Sequence, residues 1–351
     1  MKEHTSTHTP TRADAAGRAR ARDFEGRAAL VIAHPGHELC VHGWLGRARP
    51  EVFVLTDGSG RQGVPRLAST MRNLSEAGAR PGPLFGRYRD RDIYQALLST
   101  DVDFFTSLAL ELAEGLARGR FAYVVGDAIE GYNPTHDICR AVTNAAVEIA
   151  NRRASAPPIQ NFDFPIIDPP EGEDARGHIR LRLDEAAYRR KIEVMRSCPE
   201  LSDEVSAGLD GASLKVLEMF GDLSEEVGEL VKRRGGGDSF RVETLRPAVE
   251  TSACEQFFER PPFYERYGEK LVAYGFYRHV IRYREHFAPV AESLRAFASH
   301  ASLTEVVTDA EADPQSEWRA EGRERRAPDL VACLEQIFGG GEQLECAGES
   351  S

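Results

Sequence analysis

The feature that most restricts this chain is a short apolar run that ends abruptly. Ala28 to Ala33 is apolar at every position, so it has no solvated side and reads as a strand buried on both faces, as parallel strands are. Pro35 then fixes φ and removes an N–H, which forces the chain out of the sheet. Cys40, Val41, Trp44 and Leu45 follow with helical spacing. The turn between strand and helix, His34-Pro35-Gly36-His37-Glu38, places two imidazoles and a carboxylate at a strand's carboxyl end, beside the positive end of a helix. Open α/β sheets keep their sites there.

About a hundred residues on, the form repeats. Phe121 to Val125 is apolar and β-branched; Gly126-Asp127-Ala128-Ile129-Glu130-Gly131-Tyr132-Asn133-Pro134-Thr135-His136-Asp137 follows, and a helical pattern resumes at Ile138, Val142 and Ala145. Two such junctions can converge at one edge of a sheet. Three histidines on rigid turns match an open zinc site, because zinc takes imidazole nitrogens and a catalytic zinc leaves one position for water.

This pair of junctions resembles the LmbE-like, or PIG-L, family of zinc-dependent N-deacetylases, whose first motif usually reads AHPDDE and whose second is of HPDH type. Here they stand as Ala33-His34-Pro35-Gly36-His37-Glu38 and Asn133-Pro134-Thr135-His136, with a further strand ending in Thr56-Asp57-Gly58. The resemblance implies that His34 and His136 are metal ligands and that His37 takes the place of a ligand aspartate. Gly36 occupies the place of the family's general-base aspartate, and Asn133 replaces the outer histidine of the second motif.

Three neutral imidazoles leave the double charge of Zn2+ uncompensated, which lowers the pKa of bound water further than a set with one carboxylate. Amide hydrolysis still needs a proton delivered to the departing amine. With glycine at position 36, the candidates are Glu38, Asp127, Glu130 and Asp137. Asp127 directly follows the second strand and leads; Glu38 is nearest in sequence, although a carboxylate in a first helical turn is often a cap. Asp137 is placed to orient an imidazole from behind the metal. Cys40 reads as a small buried residue rather than a soft ligand, and His42 as a packing or surface histidine.

Between Arg27 and about Arg153 strand and helix alternate, with strands at Ala28 to Ala33, Val52 to Thr56 and Phe121 to Val125. Helices are expected at about 38 to 48, 65 to 79, 102 to 118 and 137 to 153. That alternation predicts an α/β fold, a Rossmann-like parallel sheet with helices on both faces. The glycine-rich loop Thr56 to Gly63 fits neither GxGxxG nor the Walker pattern. A phosphate cradle and a border to a substrate pocket both stay open for it, with Asp57 and Arg66 as contacts to substrate hydroxyls or as a turn cap and a surface ion pair. Glu130 and Asn133 are further substrate-contact candidates. The charged stretch from Pro81 to Tyr94 reads as a solvated face, with a lid as the alternative. Ile159 to Ile167, between prolines, reads as an extended edge strand.

Beyond residue 168 an irregular α+β portion is expected. It has helices at 184 to 198 and about 212 to 234, a strand from Phe240 to Leu245, and an aromatic, basic stretch from Pro261 to Leu294. The last reads as a helix packed on the core, with stacking on sugars or single-stranded nucleic acid as the alternative. The organisation is therefore a disordered leader (1 to 26), one hydrolytic domain (27 to 298: core 27 to 167, roof 168 to 298), and a polar tail (299 to 351) with a short helix at Leu330 to Phe338.

The formal charge of -12, from 44 Lys plus Arg against 56 Asp plus Glu, disfavours nucleic acid as a partner. No apolar run is long enough to span a membrane. Six cysteines without a CxxC pair indicate a reduced, cytoplasmic setting. The function expected is a zinc-dependent hydrolase that removes an N-acetyl or related acyl group from an amino sugar or glycoconjugate; the substrate class is what the resemblance implies. The alternatives are a metal- or sugar-binding relative without hydrolysis, and a deacylase of a non-sugar amide. The partner is a small molecule or glycan, and an oligomer is compatible with the sequence.

Overall fold

The computed structural model describes residues 26–60, 63–152, 157–167, 177–199, 237–248 and 256–301. Its centre is a seven-stranded sheet in the order β3-β2-β1-β4-β5-β7-β6. The strands are β1 (Ala28–Ile32), β2 (Glu51–Thr56), β3 (Arg80–Tyr88), β4 (Tyr123–Asp127), β5 (Gln160–Phe164), β6 (Ile179–Arg182) and β7 (Val242–Pro247). The first five run parallel; β7 pairs antiparallel with β5, and β6 antiparallel with β7. The α/β class and the parallel core follow the sequence expectation.

Alternation along β1 explains its unbroken hydrophobicity. Ala29 and Val31 enter one apolar cluster with Phe105, Leu108, Ile138 and Val142. Leu30 and Ile32 enter another, on the opposite face, with Trp44, Leu45, Val52 and Leu74. The helices that cover these faces are α1 (His42–Ala48), α2 (Leu67–Ala77), α3 (Asp90–Leu98), α4 (Val102–Gly119), α5 (Pro134–Asn151), α6 (Glu185–Arg196), α7 (Phe263–Ala273) and α8 (Ala288–His300). Side chains set several starts: Asp101 accepts from the Phe104 N–H and Asp184 from the Ala187 N–H.

Four expectations are corrected. The helix expected from residue 38 opens as a 3-10 turn, His37–Val41, and becomes α-helical only at His42. The charged stretch from Pro81 to Tyr94 is no continuous solvated face: it forms β3 and the first turn of α3, and Asp90 within it is buried. β5 is interior, since β7 covers its outer side; the prolines only bracket the strand. The aromatic helix breaks at Tyr274, where Gly275 adopts φ 79, and resumes after a π-helical turn, Tyr283–Phe287. Phe263 and Tyr267 of this stretch serve packing: Tyr132 stacks on Phe263 at 5.0 Å, and Phe263 on Tyr267 at 5.6 Å. The leader through residue 25, the helix expected at about 212 to 234 and the tail beyond residue 301 lie outside the described residues. Among the described residues no helix is long and apolar enough to cross a membrane.

Candidate histidine site

Strand order reverses at β1, so β1 and β4 flank the point where successive crossovers diverge to opposite sides, and a crevice opens there at the carboxyl ends. His34 leaves β1 at this point. His37 opens the 3-10 turn that follows, Asp127 ends β4, and His136 lies in the first turn of α5. The sharp exit depends on Gly36, whose φ of 103 is reserved for glycine. α5 starts where it does because Asn133 accepts from the Thr135 N–H at 2.8 Å and Pro134 occupies the first helical position.

The three imidazoles are in mutual contact. Ring centroids lie 5.3 Å apart for His34 and His37, 5.1 Å for His34 and His136, and 4.4 Å for His37 and His136, all edge to face. Hydrogen bonds assign two of the tautomers. Thr56 Oγ1 donates to the Ala33 carbonyl, so at its 2.8 Å contact with His34 Nδ1 it accepts, and the hydrogen sits on Nδ1. Asp127 Oδ2 accepts from the Ala33 N–H at 2.7 Å and lies 2.9 Å from His37 Nδ1, which is therefore also the protonated nitrogen. The Nε2 atom of His34 is buried without a hydrogen-bond partner. His136 is held well below the ordinary imidazole range, first by burial and then by its two histidine neighbours, so it is neutral. Its Nδ1 is likewise buried and without a hydrogen bond, as is Asp127 Oδ1.

As a donor set these residues suit zinc: three imidazoles, the first two each steered by an oxygen acceptor at Nδ1. As placed, though, no three His, Cys, Asp or Glu side chains among the described residues are grouped to hold a metal ion.

Asp90 is the residue the sequence reading missed. It lies 3.0 Å from His34 Nδ1 and accepts from the Gly60 N–H. Burial would raise its carboxyl, but the neighbouring His34 imidazole and bonds to Thr56 and Gly60 hold it well below the usual carboxylate range. Its signal was hidden in a charged run, and only the pairing of β3 beside β2 brings it to the site. His34 and His37 thus each have a carboxylate at Nδ1, one from the first residue of α3 and one from the end of β4.

The other candidates are engaged in hydrogen bonds away from the imidazoles. Glu38 is fully buried and turned to α2: it accepts from the Gly36 N–H at 2.7 Å, Thr70 Oγ1 at 3.0 Å and Asn73 Nδ2 at 3.0 Å. Burial pushes its carboxyl up against those bonds. Asp57 accepts from the Ser59 N–H at 2.9 Å, and Arg66 donates through Nε to the Gly58 carbonyl. Glu130 accepts from the Ile166 and Ile167 N–H groups, each at 3.0 Å. Asp137 holds the Glu130 and Gly131 N–H groups rather than an imidazole; burial outweighs those bonds and pushes it up to about 8. The described amides of the glycine-rich loop already donate, from Gly58 to Thr56, Ser59 to Asp57, Gly60 to Asp90 and Gly63 to Ser59, so they are not free to cradle a phosphate.

No family model matches this chain, and neither does any curated protein. Among solved structures, the antimicrobial reagent A40926 pseudoaglycone deacetylase aligns with 64% of this chain and 97% of its own length, at 17% identity and a TM-score of 0.35.

Proposed function

We propose that the chain is a zinc-dependent amide hydrolase that releases an acetyl or related acyl group from nitrogen, with an amino sugar or glycoconjugate as substrate. The observation that carries the reading is the gathering of three neutral or Nδ1-protonated imidazoles at the β1/β4 crevice. Two buried nitrogens there, His34 Nε2 and His136 Nδ1, lack any hydrogen bond. Leaving such atoms unmade costs about 1–3 kcal/mol each, a cost that a ligand of the site would remove. His34, His37 and His136 are the residues that would hold zinc. When bound, zinc polarises an amide carbonyl and acidifies water.

The remaining work falls to the chain's own side chains. Asp90 and Asp127 orient His34 and His37 through Nδ1. Asp127 Oδ1 has no hydrogen bond in the structure and is the acceptor offered to the attacking water. Water oxygen bonds to the acyl carbon, the carbon–nitrogen bond breaks, and the proton taken by Asp127 passes to the departing amine; the products are a carboxylic acid and a free amine. His34 and His37 keep 13% of their side-chain surface exposed, enough for solvent to reach the crevice.

Two observations favour a second reading, a metal- or sugar-binding protein without hydrolysis: Gly36 supplies no carboxylate beside the histidines, and no three metal-binding side chains among the described residues are grouped to hold an ion. Elemental analysis of the wild type and of His34→Ala, His37→Ala and His136→Ala, with an amine-release screen of N-acetylated sugars against other N-acetylated metabolites, separates the two. Near-stoichiometric zinc lost in each variant, with amine release, is the expected result. Zinc without release supports the second reading, and no zinc after supplementation sinks the hydrolase and its metal-binding alternative.

A further inference from the structure

We propose that Arg140 is a positioning residue for the histidine site, holding the carboxyl end of β4 so that Asp127 meets His37. The proposal rests on the functional reading above for its consequence, though its geometry stands alone. Arg140 lies one helical turn beyond His136 on α5 and is 1% exposed, an uncommon place for a guanidinium. All of its hydrogen-bond partners are uncharged oxygens. Nε donates to the Asp127 carbonyl at 2.6 Å, Nη2 to the Phe162 carbonyl at 3.3 Å, and Nη1 to Asn161 Oδ1 at 2.9 Å and Asn144 Oδ1 at 3.3 Å. One planar group thus ties the carboxyl end of β4 and the first half of β5 to the helix that carries His136.

A second oddity of the sequence answers the first. Gly126 stands inside a buried strand, where glycine weakens the sheet. A Cβ there would come within 2.3 Å of Arg140 Nη2 and 2.4 Å of the Val31 carbonyl. The glycine is the space the guanidinium occupies. A leucine at 140 would fill such an interior without the desolvation cost of a charge, so a role in orientation is the reason the arginine stands there. Its grip ends on the backbone of Asp127, whose side chain is spanned between the Ala33 N–H and His37 Nδ1. Asp127 therefore cannot turn without losing one of them.

The test uses the full chain with Arg140→Met, checked for folding by near-ultraviolet circular dichroism. Imidazole 15N spectra of the metal-free protein read the tautomer of His37, and chelator competition reads zinc affinity. His37 is expected to change from the Nδ1-protonated form to a mixture in Arg140→Met, and zinc to bind about tenfold more weakly, as for other outer-shell losses. A folded Arg140→Met with the wild-type His37 tautomer overturns the proposal, whatever the zinc result. If wild type takes no zinc, the functional reading fails and the tautomer alone decides the role of Arg140. Should Arg140→Met not fold, Arg140→Gln, too short to reach the Asp127 carbonyl, is read by the same spectrum with the same two outcomes.

Discussion

Removing Lys191 would test how firmly the later part of the chain holds the first histidine turn. Lys191, on α6, donates at 2.8 Å to both the Cys40 carbonyl and Glu243 Oε1. Glu243, on β7, in turn accepts from the Gly43 and Trp44 N–H groups at 2.8 and 2.7 Å, at the amino end of α1. Side-chain exposure is 1% for the lysine and none for the glutamate. Lys191→Met leaves that carboxylate buried with two backbone donors but no counter-charge, which costs about 3–5 kcal/mol. Glu243→Gln in the same background removes the stranded charge and keeps one carbonyl oxygen for the helix amides. The double variant should therefore lose only about 1–3 kcal/mol, the scale of an unmade hydrogen bond. Urea unfolding followed by tryptophan fluorescence measures this, because Trp44 is fully buried at the capped helix and reports its release. A loss below about 1 kcal/mol in Lys191→Met, or a double variant less stable than the single, would refute the reasoning.

Gly36→Asp, which restores the residue type of the related motif, should lower stability by about 1–2 kcal/mol. A φ of 103 strains any side chain there, and thermal melts would show it. Asp90→Asn should weaken zinc binding by tenfold or more while leaving the fold intact, as measured by chelator competition; unchanged affinity would remove Asp90 from the site. His42 is lowered first by burial, so below its ordinary value the unfolded chain binds a proton that the folded chain refuses. Stability from this group is present at neutral pH and lost as pH falls below about 6.5, at no more than about 1.4 kcal/mol per pH unit. His42→Gln should flatten that acid limb in unfolding titrations between pH 5 and 8; an unaltered slope would show that His42 is not the group concerned.

Much of the site was legible because strand ends announce themselves. An apolar run cut by Pro35, and another ended by Asp127 and Pro134, locate His34, His37 and His136 without any knowledge of packing. The roles of the carboxylates were less legible, because proximity in sequence does not say which backbone amides need an acceptor. Glu38 is next to His37, yet its carboxyl faces α2. Asp137 is next to His136, yet it serves the Glu130 and Gly131 amides. Asp90 is more than fifty residues from His34 and touches it, through the crossover that lays β3 beside β2.

What the sequence by itself determined was local and periodic: the strands buried on both faces, the two turns, the helix caps and the histidines riding on them. These follow from hydrophobic alternation, from proline and glycine geometry, and from side-chain caps, all of which act within a few residues. Only the tertiary structure decided the order of the strands, the interior place of β5, the partners of each carboxylate and the burial of Arg140 and the Lys191–Glu243 pair. Those depend on which surfaces meet across the sheet, and a charged residue reads the same in a sequence whether it meets water or the one buried group that compensates it.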